Sequence, residues 1–219
     1  MIKGIIFDLD GTLLNTIDDL ADSLNQALQE VGQPIYTSEV VQSFIGNGMY
    51  RLVELALKER ATQQEIEHVL ELFKENYAKR YTNKTFPYPN MQHVVKTAKQ
   101  LGLKLGVCSN KANKYVQPLI DLHFGSDNFD FALGEVDYIP RKPDPAMALE
   151  VCENLGLKTN ECLFVGDSTV DIKTAHAAKM PVCAVTFGFS DEESLLKESP
   201  EYIARDALEL KNIVESLVR

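Results

Sequence analysis

The chain has 219 residues, 45% of them hydrophobic, enough apolar mass to bury a core as one large domain or two modest ones. Its 32 acidic and 22 basic residues leave a formal net charge of −10, which argues against a nucleic-acid or anionic-membrane partner and requires any anionic substrate to be met by a local cation site. No apolar run approaches the roughly 20 residues that cross a bilayer, and Asp8 interrupts the N-terminal run before a secretory signal could finish, so a cytoplasmic protein is expected.

The first element is the apolar run Gly4 to Phe7, a strand by length and composition, which ends in Asp8-Leu9-Asp10-Gly11-Thr12. From about Thr16 to Lys84 the pattern changes to helical stripes. Ile17, Leu20, Ala21, Leu24, Ala27, Leu28 and Val31 form one stripe, stopped by Gly32; Met49, Leu52, Val53, Ala56 and Leu57 form another. A third runs through Ile66, Val69, Leu70, Phe73 and Tyr77, opened by the capping box Thr62-x-x-Glu65. These stripes can be buried only against one another, and Pro87 and Pro89 mark the return of the chain.

Beyond them, Lys104 to Cys108, Phe131 to Leu133, Cys162 to Val165 and Val182 to Val185 read as strands separated by stretches of helical length. Leu101-Gly102 and Leu155-Gly156 read as helix stops, and Asp144-Pro145 as a capping acid before a proline at the first helical position. The predicted class is α/β: a Rossmann-like parallel sheet core, residues 1–15 and 85–219, with an inserted α-helical domain, residues 16–84. Two connections join the insertion to the core, an arrangement that can serve as a hinge. Cys108, Cys162 and Cys183 fall in strand runs and Cys152 in a helical pattern, without zinc-type spacing, so they read as buried thiols.

In an open parallel sheet, ligands collect beyond the carboxyl ends of the strands. Here several strand ends carry polar groups suited to one reaction: Asp8 and Asp10, Ser109-Asn110, Lys142 in the loop after Gly134, and Gly166-Asp167-Ser168. A carboxylate can attack phosphorus, and a second carboxyl group can protonate the leaving oxygen and then deprotonate water. Asp8 and Asp167 could share a magnesium ion with a backbone carbonyl and substrate oxygens. Asp171 either supports that ion through water or is the acid of a Ser168-x-x-Asp171 capping box. Ser109 and Asn110 stand before a helix expected to begin near Lys111, where they either hold phosphoryl oxygens or cap the helix. Lys142, constrained by Pro143 and Pro145, could offset the charge of Asp8 and the phosphoryl group, whereas Arg141 reads as solvent-facing.

Taken together, Phe7-Asp8-Leu9-Asp10-Gly11-Thr12-Leu13, Ser109-Asn110, Lys142-Pro143 and Gly166-Asp167-Ser168-x-x-Asp171 resemble, in order, the four motifs of the haloacid dehalogenase superfamily, over essentially the whole chain. The resemblance implies that Asp8 is nucleophile and metal ligand, and that Asp10 is the acid/base that also lends its backbone carbonyl to the metal. It implies that Lys142 stabilises the charged intermediate, that Ser109, Asn110, Gly11 and Thr12 hold phosphate, and that Asp167 binds Mg2+ with Asp171 in support. The presence of Asp10 argues against a true dehalogenase, whose members lack that acid/base.

The inserted helices look like the helical cap of this superfamily, most similar to that of phosphoglycolate phosphatases. Phe44-Ile45-Gly46-Asn47-Gly48 resembles their Gly-Asn-Gly segment, which implies substrate contacts by Gly46 and Asn47; the same residues also read as a turn between two helices. Val136 to Arg141 and Thr169-Val170 depart from the usual pattern without removing a catalytic group. The expected activity is therefore Mg2+-dependent hydrolysis of a small phosphorylated metabolite, 2-phosphoglycolate first, by a monomer or homodimer. A sugar-phosphate mutase resembling β-phosphoglucomutase and a pyrophosphatase are the enzymatic alternatives, and a regulatory binding protein the non-enzymatic one.

Overall fold

The computed structural model describes residues 1–58 and 61–218. In chain order, β1 (Gly4–Phe7) is followed by β2 (Leu14–Asn15), then by helices α1 (Ile17–Glu30), α2 (Ser38–Gln42), α3 (Gly48–Leu57) and α4 (Gln63–Ala78). After β3 (Phe86–Pro87) come α5 (Met91–Gln100), β4 (Lys104–Ala112), α6 (Asn113–Phe124), β5 (Phe131–Glu135) and α7 (Ala146–Leu155). The chain ends through β6 (Cys162–Gly166), α8 (Thr169–Ala177), β7 (Val182–Val185), α9 (Glu192–Lys197), β8 (Tyr202–Ala204) and α10 (Ala207–Val218). Two compact units result, one of Met1–Leu14 with Pro87–Arg219, the other of Asn15–Phe86.

The first unit is a six-stranded parallel sheet in the order β5-β4-β1-β6-β7-β8. From β1 the chain builds outward to β4 and β5, then returns to the other side of β1 for β6, β7 and β8. The order reverses at β1, which makes its carboxyl end the place where a ligand crevice opens. Register brings Phe7 level with Val107 on β4 and Val165 on β6, so the residues just beyond these three converge at one sheet edge.

The strands are buried on both faces, as a helix-covered parallel sheet requires. On one face Ile6, Cys108, Phe164, Val182 and Ala184 pack with Met147, Val151 and Leu155 of α7 and Ile172 and Ala175 of α8. The alternate residues Ile5, Phe7, Val107, Leu163 and Val165 point the other way and are equally buried. The helix stops expected at Gly102 and Gly156 both adopt positive φ, +77° and +65°. The proline-led helix starts at Ala146, one residue later than expected, with Asp144 accepting a hydrogen bond from the Ala146 N–H at 2.9 Å. The strand β8 escaped sequence reading because three residues, two of them only half-buried, give too short an apolar signal.

The second unit is all helical apart from its ends. The stripes of α1, α3 and α4 are its core, with Leu24, Leu28, Val53, Val69 and Phe73 almost wholly buried. Thr62 and Glu65 form the expected reciprocal capping box of α4. Asp19 is buried in α1 and accepts hydrogen bonds from the backbone of Lys84 and Thr85 and the Thr85 hydroxyl, tying the exit of the unit to its first helix. No helix of the described residues is long and apolar enough to cross a membrane.

Candidate active site

The loop after β1 closes on itself: Gly11 N–H donates to Leu14 carbonyl at 2.9 Å, and Leu13 and Leu14 donate to Leu9 carbonyl. This places Asp8 and Asp10 on a tight turn at the carboxyl edge of the central strand. Gly11 sits at φ +86°, and a Cβ there would lie 2.2 Å from a carboxylate oxygen of Asp167. Only glycine permits so close an approach. Asp167, just beyond β6, is fixed by two donors, the Thr12 hydroxyl and the Phe189 N–H, each at 2.8 Å. Thr12, expected to contact phosphate, thus spends its hydroxyl proton on Asp167.

Asp8, Asp167 and Asp171 each offer a carboxylate oxygen within 4.8 Å of the others, a set that could hold a divalent cation. The Asp10 carboxylate is not in this set; it pairs with Lys111 Nζ at 2.8 Å. Asp171 is the acid of the Ser168 capping box that its spacing allowed, and it meets Lys142 as well. One oxygen completes the Ser168 capping box and the other accepts from Lys142 Nζ at 2.6 Å. Lys142 also lies 3.0 Å from Asp8 and its side chain is only 2% exposed. Arg141 is exposed and pairs with Glu135, as its solvent-facing reading required.

Electrostatics follow from this crowding. Burial, then the neighbouring Asp171 carboxylate, pushes the Asp8 carboxyl up to about 7, against the pull of Lys142. Burial, then Asp171 and Asp8, raises Asp167 well above the usual carboxylate range. Burial disfavours the charge on Lys142, but Asp171 and Asp8 outweigh it and hold the ammonium more firmly protonated than an ordinary lysine. Asp8, Asp10, Asp167 and Asp171 against Lys111 and Lys142 leave a formal charge of −2, which one divalent cation would neutralise.

The segment after Cys108 differs from expectation. β4 continues to Ala112 and α6 begins at Asn113, so neither Ser109 nor Asn110 caps a helix or stands at its positive end. The reason is lateral pairing: β5 continues to Glu135 and holds Ala112 in the sheet. Ser109 is buried and its oxygen accepts from Lys111 N–H at 3.3 Å. The Asn110 side chain clamps the Lys142 peptide, accepting from its N–H at 2.9 Å and donating to its carbonyl at 3.0 Å. Gly46 and Asn47 belong to the second unit, where they form the turn before α3; Asn47 occupies its N-cap position without a side-chain cap bond.

Two further residues near this edge, Lys111 and Tyr88, lie outside the four catalytic motifs. Lys111 follows Ser109-Asn110 at the strand end, a signal that a search restricted to motif positions passes over. Tyr88 packs on Phe187, ring centres 5.0 Å apart, and burial, then Asp167 and Asp10, raises its hydroxyl above the ordinary tyrosine value.

Residues 5–185 match the family of haloacid dehalogenase-like hydrolases. The chain is 36% identical over 220 residues to a phosphoglycolate phosphatase of Haemophilus influenzae, covering 97% of this chain and 98% of the relative. A phosphoglycolate phosphatase of Mannheimia succiniciproducens is also 36% identical, with the same coverage. Among solved structures, a candidate phosphoglycolate phosphatase from Lactobacillus delbrueckii superposes with a TM-score of 0.93 at 37% identity, covering 97% of this chain and 98% of that one. With motif residues, sheet order and whole-length similarity in agreement, the chain belongs to the haloacid dehalogenase-like hydrolases, on their phosphoglycolate phosphatase branch.

Proposed function

We propose that this hydrolase is a magnesium-dependent phosphatase that cleaves 2-phosphoglycolate through an aspartyl phosphate on Asp8. The observation that carries the reading is the Asp8 carboxylate, set between Lys142 at 3.0 Å and the Asp167–Asp171 pair, at the carboxyl edge where the strand order reverses. An Asp8 oxygen attacks phosphorus, and the bond to the leaving oxygen breaks as Asp10 delivers a proton to it. Water then attacks the acyl phosphate, Asp10 takes its proton, and the phosphorus–Asp8 bond breaks to release phosphate and restore both carboxyl groups.

Lys142 offsets charge on the transferring group, and the Ser109 hydroxyl and the Asn110 main chain hold the phosphate beside the turn that Gly11 and Thr12 shape. Asp8, Asp167 and the Asp10 carbonyl would hold Mg2+, with Asp171 in support; a hard oxygen-ligated cation fits the −2 excess of this buried carboxylate set. When bound, the ion draws charge from the phosphoryl oxygens and lets an anionic substrate approach several carboxylates. Residues 16–84 act in this reading as a cap domain on a phosphatase core of 1–15 and 85–219, with Gly46 and Asn47 contributing to substrate choice.

The test compares catalytic efficiency on 2-phosphoglycolate, pyrophosphate and β-glucose 1-phosphate, following both products. Highest efficiency on 2-phosphoglycolate, abolished in Asp8→Asn, is the expected result. Formation of glucose 6-phosphate with little free phosphate would make the protein a mutase, and preference for pyrophosphate a pyrophosphatase.

A further inference from the structure

Lys111 belongs to none of the motifs that define the site, yet the fold goes to some length to bury it beside Asp10. Strand β4 stays in register with β5 through Cys108 and Leu133, then regains it only at Ala112 and Glu135. Between these points β4 advances from 108 to 112 while β5 advances from 133 to 135, so β4 is bulged. A bulge re-aims side chains that a regular strand would send to alternate faces.

The bulge is accommodated on the β5 side. A Cβ on Gly134 would meet the Lys111 carbonyl oxygen at 2.5 Å and Asn113 Cα at 2.6 Å, so the bulged main chain lies where any other residue would put a side chain. The Gly134 N–H, displaced from regular pairing, donates instead to Asn113 Oδ1 at 2.8 Å. Two of the bulged residues thereby reach separate parts of the site: Asn110 to the Lys142 peptide, and Lys111 to Asp10.

The Lys111 ammonium is 2.8 Å from Asp10 Oδ1, with side-chain exposures of 2% and 14%. An ammonium buried so deeply is tolerated only against a compensating charge. Lys142 attends Asp8 and Asp171 and Lys111 attends Asp10, so the two cations divide three carboxylates between them, while Asp167 is held by the Thr12 hydroxyl and the Phe189 N–H. A carboxyl group that must first give and then take a proton needs a fixed direction, and Asp10 stands on a turn whose other side chains face elsewhere: Asp8 to Lys142, Thr12 to Asp167.

We propose that Lys111 is the positioning residue for Asp10, holding its carboxyl group in the orientation from which it exchanges protons with the leaving oxygen and with water. The inference rests on the reading of Asp8 as nucleophile and Asp10 as acid/base. Lys111 itself touches neither phosphorus nor the leaving group.

The experiment uses two substrates that differ in their need for an acid. With p-nitrophenyl phosphate the leaving oxygen keeps the phosphorus–oxygen electron pair as a stable phenolate, so forming the aspartyl phosphate needs no proton; its hydrolysis still needs Asp10 as base. With 2-phosphoglycolate both steps need Asp10. Rapid mixing of Lys111→Met with p-nitrophenyl phosphate and Mg2+ should give a phenolate burst near one per active site, followed by turnover lowered roughly 100-fold. On 2-phosphoglycolate the same variant should lose the first step as well. Lys111→Arg should recover part of both losses, and Lys111→Gln, which keeps a donor without its charge, carries the expectation of Lys111→Met should that variant not fold.

Asp10→Asn supplies the reference. If Asp10→Asn separates burst from turnover but Lys111→Met or Lys111→Gln slows both equally, or neither, Lys111 does not position Asp10. If Asp10→Asn itself shows no separation, the acid/base reading of Asp10 falls instead.

Discussion

Raising pH should destabilise the metal-free protein, and Mg2+ should reverse this most strongly in alkaline buffer. Asp8 is held at about 7, against 3.8 for a free side chain. A folded-state carboxyl above its unfolded value means that the native protein binds the extra proton between pH 4 and 7, so stability falls as pH rises through that window. At about 1.4 kcal/mol per unit, the roughly 3-unit gap costs about 4 kcal/mol by pH 8. For a chain of this length that corresponds to a drop in Tm of roughly 8–16 °C. Asp167, raised for the same reason of burial first, adds to it in the same direction.

Mg2+ binds the ionised carboxylates and releases their protons, so its stabilising effect should grow with pH. The assay is thermal unfolding from pH 5.5 to 8.5, in chelator and in millimolar Mg2+, for wild type and Asp8→Asn. The Asn variant removes the ionising group but leaves Lys142 its Asp171 partner, so in chelator it should unfold at higher temperature than wild type at pH 8 and with a shallower pH slope. Identical chelator slopes for the two proteins would refute the reasoning, because the pH dependence would then arise from the general surplus of acidic groups.

Asn110→Ala removes both halves of the clamp on the Lys142 peptide, about 1–3 kcal/mol of buried hydrogen bonding, and should lower kcat more than it raises KM; an effect confined to KM would count against it. Gly11→Ala forces a Cβ against the Asp167 carboxylate and requires φ +86° of an alanine. It should raise the Mg2+ concentration for half-maximal activation at least 10-fold, read by titrating metal at fixed substrate, and an unchanged midpoint would show that Asp167 can move without consequence.

Much of the site was legible because its parts are local: the short apolar runs Gly4 to Phe7, Lys104 to Cys108 and Cys162 to Val165 place the residues that follow them at one edge of any parallel sheet. The helical insertion was legible for the same reason, its stripes having a period that no strand shares. The capping box of Ser168 and Asp171 was legible from its spacing, whereas the contact of Asp171 with Lys142 was not, because it joins residues 29 positions apart.

The sequence by itself determined the element types, the parallel class and the residue types gathered at the strand ends, because propensity, periodicity and chain direction are properties of neighbouring residues. Only the tertiary structure decided what those side chains face. Asn110 meets Lys142 and Lys111 meets Asp10 because β5 keeps Ala112 in the sheet and Gly134 makes room for the bulge. Those contacts join residues far apart in the chain, between Asp10 and Lys142, and a bulge opposite a glycine leaves no periodic trace from which they could be read.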